Sequence, residues 1–402
     1  MIPYRWFLFI FIYFSFITQY ITFLCWNPFV PIAKDVFGFA IVECSIIVAA
    51  IALGRLLFQI PGGLVADKYP AKRLLILSLL SLTIITWLIS LKGSFPLMLV
   101  GQFFIGMAGV VVWPLSIKII VDYFPVKERD FASGFFNTGT TIAVMVTNFC
   151  IPYIVYTYNW ELAFQGISFL CFLNVLFIFF FMKDKKKTSE DNVIKKEPVS
   201  LKDVKALFSN KGFILCLIVY VGALYTSWGI NTWVSSYLTH KILLPTSTVT
   251  MMMTSFGIFG CISMPLVGLA TKGMPARRYN FLFCNFFFLA TCLIIMSFTT
   301  SETLLWVLMI CLGFGAFAHM GPLNLIIADF IDTKVMGTAS ALSIFVWQIT
   351  VIFQSLTIGK VLDLKNTDIS YFLMFLILSL GAYIACICVY KIKSILKKTQ
   401  AY

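Results

Sequence analysis

One arginine set in an otherwise apolar run carries the sharpest chemistry in this sequence. Arg55 stands twelve positions before Asp67, with hydrocarbon-like residues on either side. On a helix rising 1.5 Å per residue, that puts it about 18 Å from the charged end, near the middle of a bilayer. A charge there costs roughly 3 kcal/mol or more, and such residues normally face a cavity or a partner. At helical spacing Arg55 shares a face with Ser45, Val48, Ala52, Gln59 and Gly62, a small and partly polar stripe suited to a water-filled path. A guanidinium presents a planar fork to carboxylate or phosphate, so one reading is a cationic anchor for an anionic solute. The other is a structural arginine bound to carbonyls or a neighbouring helix.

Lys118 is a second candidate cation, but at i,i+4 from Asp122 its long stem also reaches the membrane surface. Polar stripes at spacings of three, four and seven recur elsewhere. Tyr13, Tyr20 and Asn27 form one; Ser133, Asn137, Thr141 and Asn148 another. Tyr220, Ser227 and Asn231 form a third, with Tyr225 and Trp228 close by, and Ser340, Ser343, Trp347 and Gln354 a fourth. Each stripe alone suits hydrogen bonding between packed helices, and together they favour a central polar cavity. His319, among Gly313, Gly315, Gly321 and Pro322, sits where a helix should bend and is the one mid-span group able to titrate near neutrality. The middle thirds of the apolar runs hold no Asp or Glu, which counts against carboxylate-based proton or sodium coupling. There is no phosphate-binding loop, HExxH or GxSxG, so neither an enzyme nor an ATP-driven pump is expected.

These side chains need elements to hold them. Apolar residues make up 60% of the chain and charged residues 12%, where a soluble domain has roughly a quarter charged. Apolar runs of about 20 residues recur, each able to cross a bilayer as a helix that satisfies its own backbone. Twelve are expected, over 5–26, 41–66, 74–91, 96–121, 131–155, 161–182, 212–238, 247–270, 279–298, 303–328, 335–360 and 370–391. The first is read as a retained span rather than a cleaved signal. The eleven cysteines lie singly in apolar stretches with no metal spacing, so no cofactor or metal is expected. Residues 183–211 hold nine lysines and five acids and read as a hydrophilic tether between domains 1–182 and 212–402. No nucleic-acid site is read in it.

Lysine and arginine concentrate on one side: Lys68, Lys72 and Arg73, Lys127 and Arg129, the tether, Arg277 and Arg278, and the Lys391–Lys398 tail. By the positive-inside rule both termini face the cytoplasm, in a plasma (inner) membrane protein. The chain also repeats itself. Gly63–Arg73 recurs as Gly268–Arg278, 205 residues on, in the same setting between apolar runs. Trp113-Pro114-Leu115 with Asp122 recurs as Gly321-Pro322-Leu323 with Asp329 at nearly the same offset. Duplication at half the chain length predicts an all-α membrane fold of two pseudo-symmetric six-helix bundles.

These motifs resemble the major facilitator superfamily over essentially the whole chain. That family's loop between spans two and three reads Gly-x-x-x-Asp, a basic residue, then a basic pair, here Gly63, Asp67, Lys68, Lys72 and Arg73. Pro70 stands where glycine is usual. Phe124-Pro125-x-x-Glu128-Arg129 with Gly134 and Asn137-Thr138-Gly139 is similar to the family's connection from span four to span five. The resemblance implies rocker-switch alternating access, with Asp67 set against the start of span eleven near Met336-Gly337 and with Asp122 and Arg129 in the same charge cluster. It also implies a cavity drawn from spans one, four, five, seven, eight, ten and eleven. Two departures stand out: Gln102, four residues before Gly106, replaces a frequent arginine, and Lys272 replaces the acid in the second hairpin.

The expectation is therefore a secondary or facilitative transporter of a small solute, foremost an organic anion. Substrate contacts are assigned to Arg55, Gln59, Tyr20, Lys118, Asn137, Thr141, Tyr225, Ser227, Asn231, His319 and Trp347. The gate is assigned to Gly63, Asp67, Lys68, Lys72, Arg73, Asp122 and Arg129. Partners are the small-molecule substrate, the lipid bilayer and a coupling ion (proton or sodium) or counter-substrate, and the protein is expected to be a monomer. The rivals are a neutral solute (sugar, amino acid or drug-like compound) with Arg55 structural, and a non-transporting membrane sensor.

Overall fold

The computed structural model describes residues 4–182, 207–271, 275–331, 336–364 and 367–399, and their regular structure is entirely helical. Twelve helical spans are long and apolar enough to cross a membrane. In the first half they are Tyr4–Phe29, Ile41–Ala66, Ala71–Ser90, Phe95–Tyr123, Ala132–Thr157 and Trp160–Phe181. In the second they are Lys211–His240, Thr246–Thr271, Arg277–Phe298, Glu302–Ile327, Leu342–Leu362 and Asp368–Leu396. The expected boundaries differ from these by a few residues, with two larger departures. The apolar window of span eleven begins at Leu342, although its helix starts at Met336. Span twelve continues as helix to Thr399, because a basic tail of good helix formers extends the turn pattern into the polar layer.

Proline explains two of the breaks. Span four is two helices, Phe95–Gly109 and Val112–Tyr123, and span ten is likewise Glu302–Ala318 and Met320–Ala328. Pro114 and Pro322, which carry the second sequence repeat, lie just past each break, where a ring lacking N–H cannot bond the carbonyl four residues back. Span five breaks at Thr138, between Val126–Asn137 and Gly139–Thr157.

The halves pack by one plan. Span three pairs with six, two with four, one with five, and one with six; nine pairs with twelve, eight with ten, seven with eleven, and seven with twelve. The halves meet where span two lies on eleven and span five on eight, two contacts that exchange under the same operation. Large apolar side chains stay on the outside (Ile60 at 63%, Leu77 at 61%, Phe180 at 70% exposure), a surface that only lipid can cover.

Two glycines set the level of Arg55. A Cβ at Gly54 would stand 2.1 Å from the Phe103 carbonyl oxygen, and one at Gly106 would stand 2.1 Å from that of Ile51. Spans two and four therefore touch backbone to backbone, which only residues without a side chain permit.

Candidate functional site

Arg55 lies on the helix Ile41–Lys68 and is 6% exposed. Its Cζ is 4.6 Å from the ring centre of Phe23, 5.8 Å from Tyr20 and 5.7 Å from Trp347. Phe23 and Tyr20 belong to span one and Trp347 to span eleven, so the guanidinium is wrapped by rings from both halves. Cation–π contacts are worth about 0.5–2 kcal/mol each, which offsets part of the cost of burying the charge. They leave its hydrogens unused: Nε and Nη1 are buried with no hydrogen-bond partner. Ion pairs among the described residues lie elsewhere, at Arg5–Glu128, Lys241–Asp368 and Arg278–Asp329.

Trp228 of span seven completes the slot. Its ring is 5.8 Å from Trp347 and 5.7 Å from Phe23. Ser227 and Asn231 flank it on the same helix, each 4% exposed. The Ser227 hydroxyl, Asn231 Oδ1, both indole N–H groups, Gln59 Oε1 and both ends of the Gln354 amide are buried without partners. Buried polar atoms are nearly always satisfied, and an orphan set of donors and acceptors beside a desolvated cation is what a binding site for a polar ligand offers.

Of the expected contacts, the structure sets Tyr20 and Trp347 against Arg55, while Gln59 shares the helix of Arg55 and Ser227 and Asn231 share the helix of Trp228. Others it sets apart. Lys118 Nζ donates to the Ala66 carbonyl at 2.9 Å, capping the far end of the span-two helix. Tyr225 packs on Gly381 of span twelve and lies beside Thr357, because it points about sixty degrees round the helix from Trp228. His319 sits inside the second half, 5.3 Å from the Phe286 ring, with Nδ1 3.3 Å from the Gly315 carbonyl. It marks the expected bend but faces span nine rather than the slot. Asn137 and Thr141 each donate to a carbonyl of span five, those of Ser133 and Thr138, at 2.9 and 2.8 Å. Phe23 was not singled out by the sequence: an aromatic in an apolar run reads as core, and only the tertiary packing turns its face to a cation.

Several described side chains of the expected gate make local contacts. The Asp67 side chain and its expected contact near Met336-Gly337 lie outside the described residues. Lys72 Nζ donates to the Phe179 carbonyl at 2.9 Å, at the end of span six, and Arg129 Nε donates to the Phe124 carbonyl at 2.9 Å. Lys68 lies over Tyr69, and Arg73 and Asp122 are exposed. The strong charge contacts are ones the sequence did not single out. Arg5 meets Glu128 at 2.8 Å, and Asp329 accepts from both Arg278 and Tyr279.

Among the described residues, the side-chain hydrogen bonds between the halves lie on one side of the Arg55 level. Ser355 Oγ donates to the Ser45 carbonyl at 2.7 Å, Asn148 Nδ2 to that of Met253 at 3.4 Å, and His240 Nε2 lies 2.8 Å from that of Pro31. Between these lies a chamber of about 20 Å³, room for one water, lined by Asn148, Ser235 and Thr246. At the other end, Cβ atoms built on Gly63, Gly134 and Gly268 meet nothing within 4 Å.

Known proteins agree with this architecture. The model of the Major Facilitator Superfamily matches residues 8–355. The probable L-galactonate transporter of Escherichia coli K12 is 21% identical over 324 residues, covering 75% of this chain and 72% of that one. The cis,cis-muconate transport protein of Acinetobacter baylyi is 21% identical over 317 residues, covering 76% and 75%. Among solved structures, a bacterial homologue of the human lysosomal transporter Spinster, inward-facing and occupied, superposes with a TM-score of 0.81 at 13% identity over 98% of both chains. The matched span, the two six-helix bundles and the twelve crossings lead to one conclusion: this chain is a multi-pass membrane transporter, not an enzyme, and belongs to the Major Facilitator Superfamily.

Proposed function

We propose that the protein carries a small organic anion across the membrane by alternating access, with Arg55 as its anchor. The observation that carries this is the buried guanidinium with two unpaired nitrogens at the meeting of the halves. A carboxylate is the natural ligand for such a fork, since charge-assisted pairs are about twice as strong as neutral ones. The orphan acceptors Asn231 Oδ1 and Gln59 Oε1 need hydrogens that a bare carboxylate lacks, which favours an anion bearing hydroxyl groups. Relatives described as carriers of galactonate, hexuronate and muconate support an acidic solute.

In this reading bundles 1–182 and 212–402 move against each other, residues 183–211 tether them on the cytoplasmic side, and both termini are cytoplasmic. The basic loops lie at the end where Gly63, Gly134 and Gly268 stand clear, so the described arrangement is open to the cytoplasm. The membrane is the plasma (inner) membrane and the working unit a monomer. His319, buried away from the slot, is not the coupling group, which leaves exchange of anions or an ion bound with the substrate. One observation favours a neutral solute instead: three π faces already attend the guanidinium and would stack on a sugar ring.

Counterflow in proteoliposomes separates these readings. D-galactonate and cis,cis-muconate are compared with glucose, in the wild type and in Arg55→Gln. Anion exchange lost in Arg55→Gln supports the anchor. Glucose exchange that survives the substitution overturns it.

A further inference from the structure

Gln348 follows Trp347 on span eleven, is fully buried, and has a hydrogen-bond partner at neither end of its amide. Two contacts fix the face it occupies. Ser355 Oγ donates to the Ser45 carbonyl, and a Cβ on Gly359 would stand 2.3 Å from the Ser45 Cβ. Gln348 lies seven residues before Ser355 and eleven before Gly359, two and three helical turns, so it shares their face, the one laid on span two. Spans two and eleven run antiparallel, one being an even crossing and the other odd. Seven residues inward from the Ser45–Ser355 contact, the register sets Gln348 across from Ala52, a side chain small enough to leave room for an amide. Arg55 is three residues further in on span two, and its guanidinium reaches the ring of Trp347, the neighbour of Gln348. The register and the ring contact are independent, and they set Gln348 and Arg55 at one level of the seam. Bonding one helix to another is the usual role of a glutamine in a span. Among the described residues nothing accepts from this one or donates to it.

An amide needs a donor for its oxygen and an acceptor for its nitrogen, and one hydroxyl supplies both. A carboxylate supplies acceptors alone and brings a charge. Arg55 is the one Lys or Arg in the middle third of any of the twelve spans, so a second carboxylate would be buried with no cation left to meet it. We infer that Gln348 is a specificity-determining residue that reads a hydroxyl of the solute. The slot then takes an acid with one carboxylate and hydroxylated carbons in preference to a hydroxyl-free acid or a dicarboxylate. This rests on the anchoring of a carboxylate by Arg55 proposed above, and it adds what the rest of the solute must be.

Counterflow in proteoliposomes, read as half-saturation, compares three acids of equal chain length. D-galactonate has one carboxylate, galactarate a second in place of the terminal hydroxymethyl, and hexanoate no hydroxyl. The wild type should half-saturate with D-galactonate at about a tenth or less of the concentration needed of either other acid. Gln348→Met keeps the length of the side chain and removes both polar ends. D-galactonate should then weaken about tenfold while hexanoate stays unchanged, so the preference between them collapses. Gln348→Leu makes the same test should Gln348→Met fail to elute as monodisperse protein. A purely structural role would weaken both acids alike. An unchanged ratio of D-galactonate to hexanoate in the variant, or galactarate taken as readily as D-galactonate by the wild type, overturns the inference. Loss of acid exchange in Arg55→Gln would in that case leave the anchor standing. Acid exchange that is absent from the wild type, or that survives Arg55→Gln, overturns the anchor and this inference together.

Discussion

Arg55 of span two and Trp347 of span eleven face each other across the seam, with the guanidinium carbon 5.7 Å from the ring centre. The pair joins the two bundles at mid-membrane through a contact that a ligand can strengthen. Nothing in it pairs with Nε or Nη1 of the arginine, while a ring from the opposite bundle shields the cation.

That arrangement trades stability for function. Arg55→Met keeps the length of the stem and removes an unpaired buried charge, which should raise the thermal midpoint in detergent by about 2–4 °C. The same variant should lose D-galactonate counterflow by at least about tenfold. A variant that unfolds earlier than the wild type, or exchanges at the normal rate, would show that the charge is satisfied in some other way.

Trp347 should act through Arg55. Trp347→Ala removes one π face and one orphan indole N–H, and half-saturation for D-galactonate should rise about tenfold. Trp347→Phe keeps the face and should recover most of that loss. Equal defects in the two variants would assign the role to the N–H instead.

Close packing between spans two and four predicts a stability defect with no polar component. Gly106→Leu would drive a side chain into the Ile51 carbonyl and the Arg55 backbone nitrogen, at 2.1 and 3.1 Å from the first carbon alone. Monodisperse protein on size exclusion should be lost. Gly63→Leu, at a position with open space, should elute like the wild type.

His319 offers a negative test of proton coupling. Its ring is fully buried against Phe286, and Nε2 has no partner. His319→Phe should leave transport and its pH profile in place, because a ring of similar volume refills the site without an orphan nitrogen. A flattened pH profile of uptake in this variant would restore His319 as a titrating group.

The contact of Arg278 with Asp329 is 12% and 26% exposed at its two side chains and is braced by Tyr279. Asp329→Ala should lower stability by about 1–3 kcal/mol, as expected when one partner of a partly buried pair is removed. Breaking Lys241–Asp368, where the carboxylate is 74% exposed, should cost at most about 1 kcal/mol. Thermal unfolding of Asp329→Ala and Asp368→Ala, side by side, checks the ranking.

Local chemistry made much of this protein legible along the chain. Hydrocarbon-length runs dictated twelve helices, because a backbone in lipid must bond to itself. The repeats at Gly63 and Gly268 and at Pro114 and Pro322 dictated two like halves. Arg55 was visible because one charge in an apolar run has few bland explanations. Direction round a helix was not visible: Tyr225 and Trp228 are three residues apart, yet one meets span twelve and the other meets Phe23 across the seam. Nor was the length of a lysine stem, which takes Lys118 to the Ala66 carbonyl. Only the tertiary structure decided that Tyr20, Phe23 and Trp347 enclose the arginine and that, among the described residues, the side-chain hydrogen bonds between the halves lie on one side of it. Those facts depend on which faces of distant helices meet, and a periodic sequence records the faces without recording their partners.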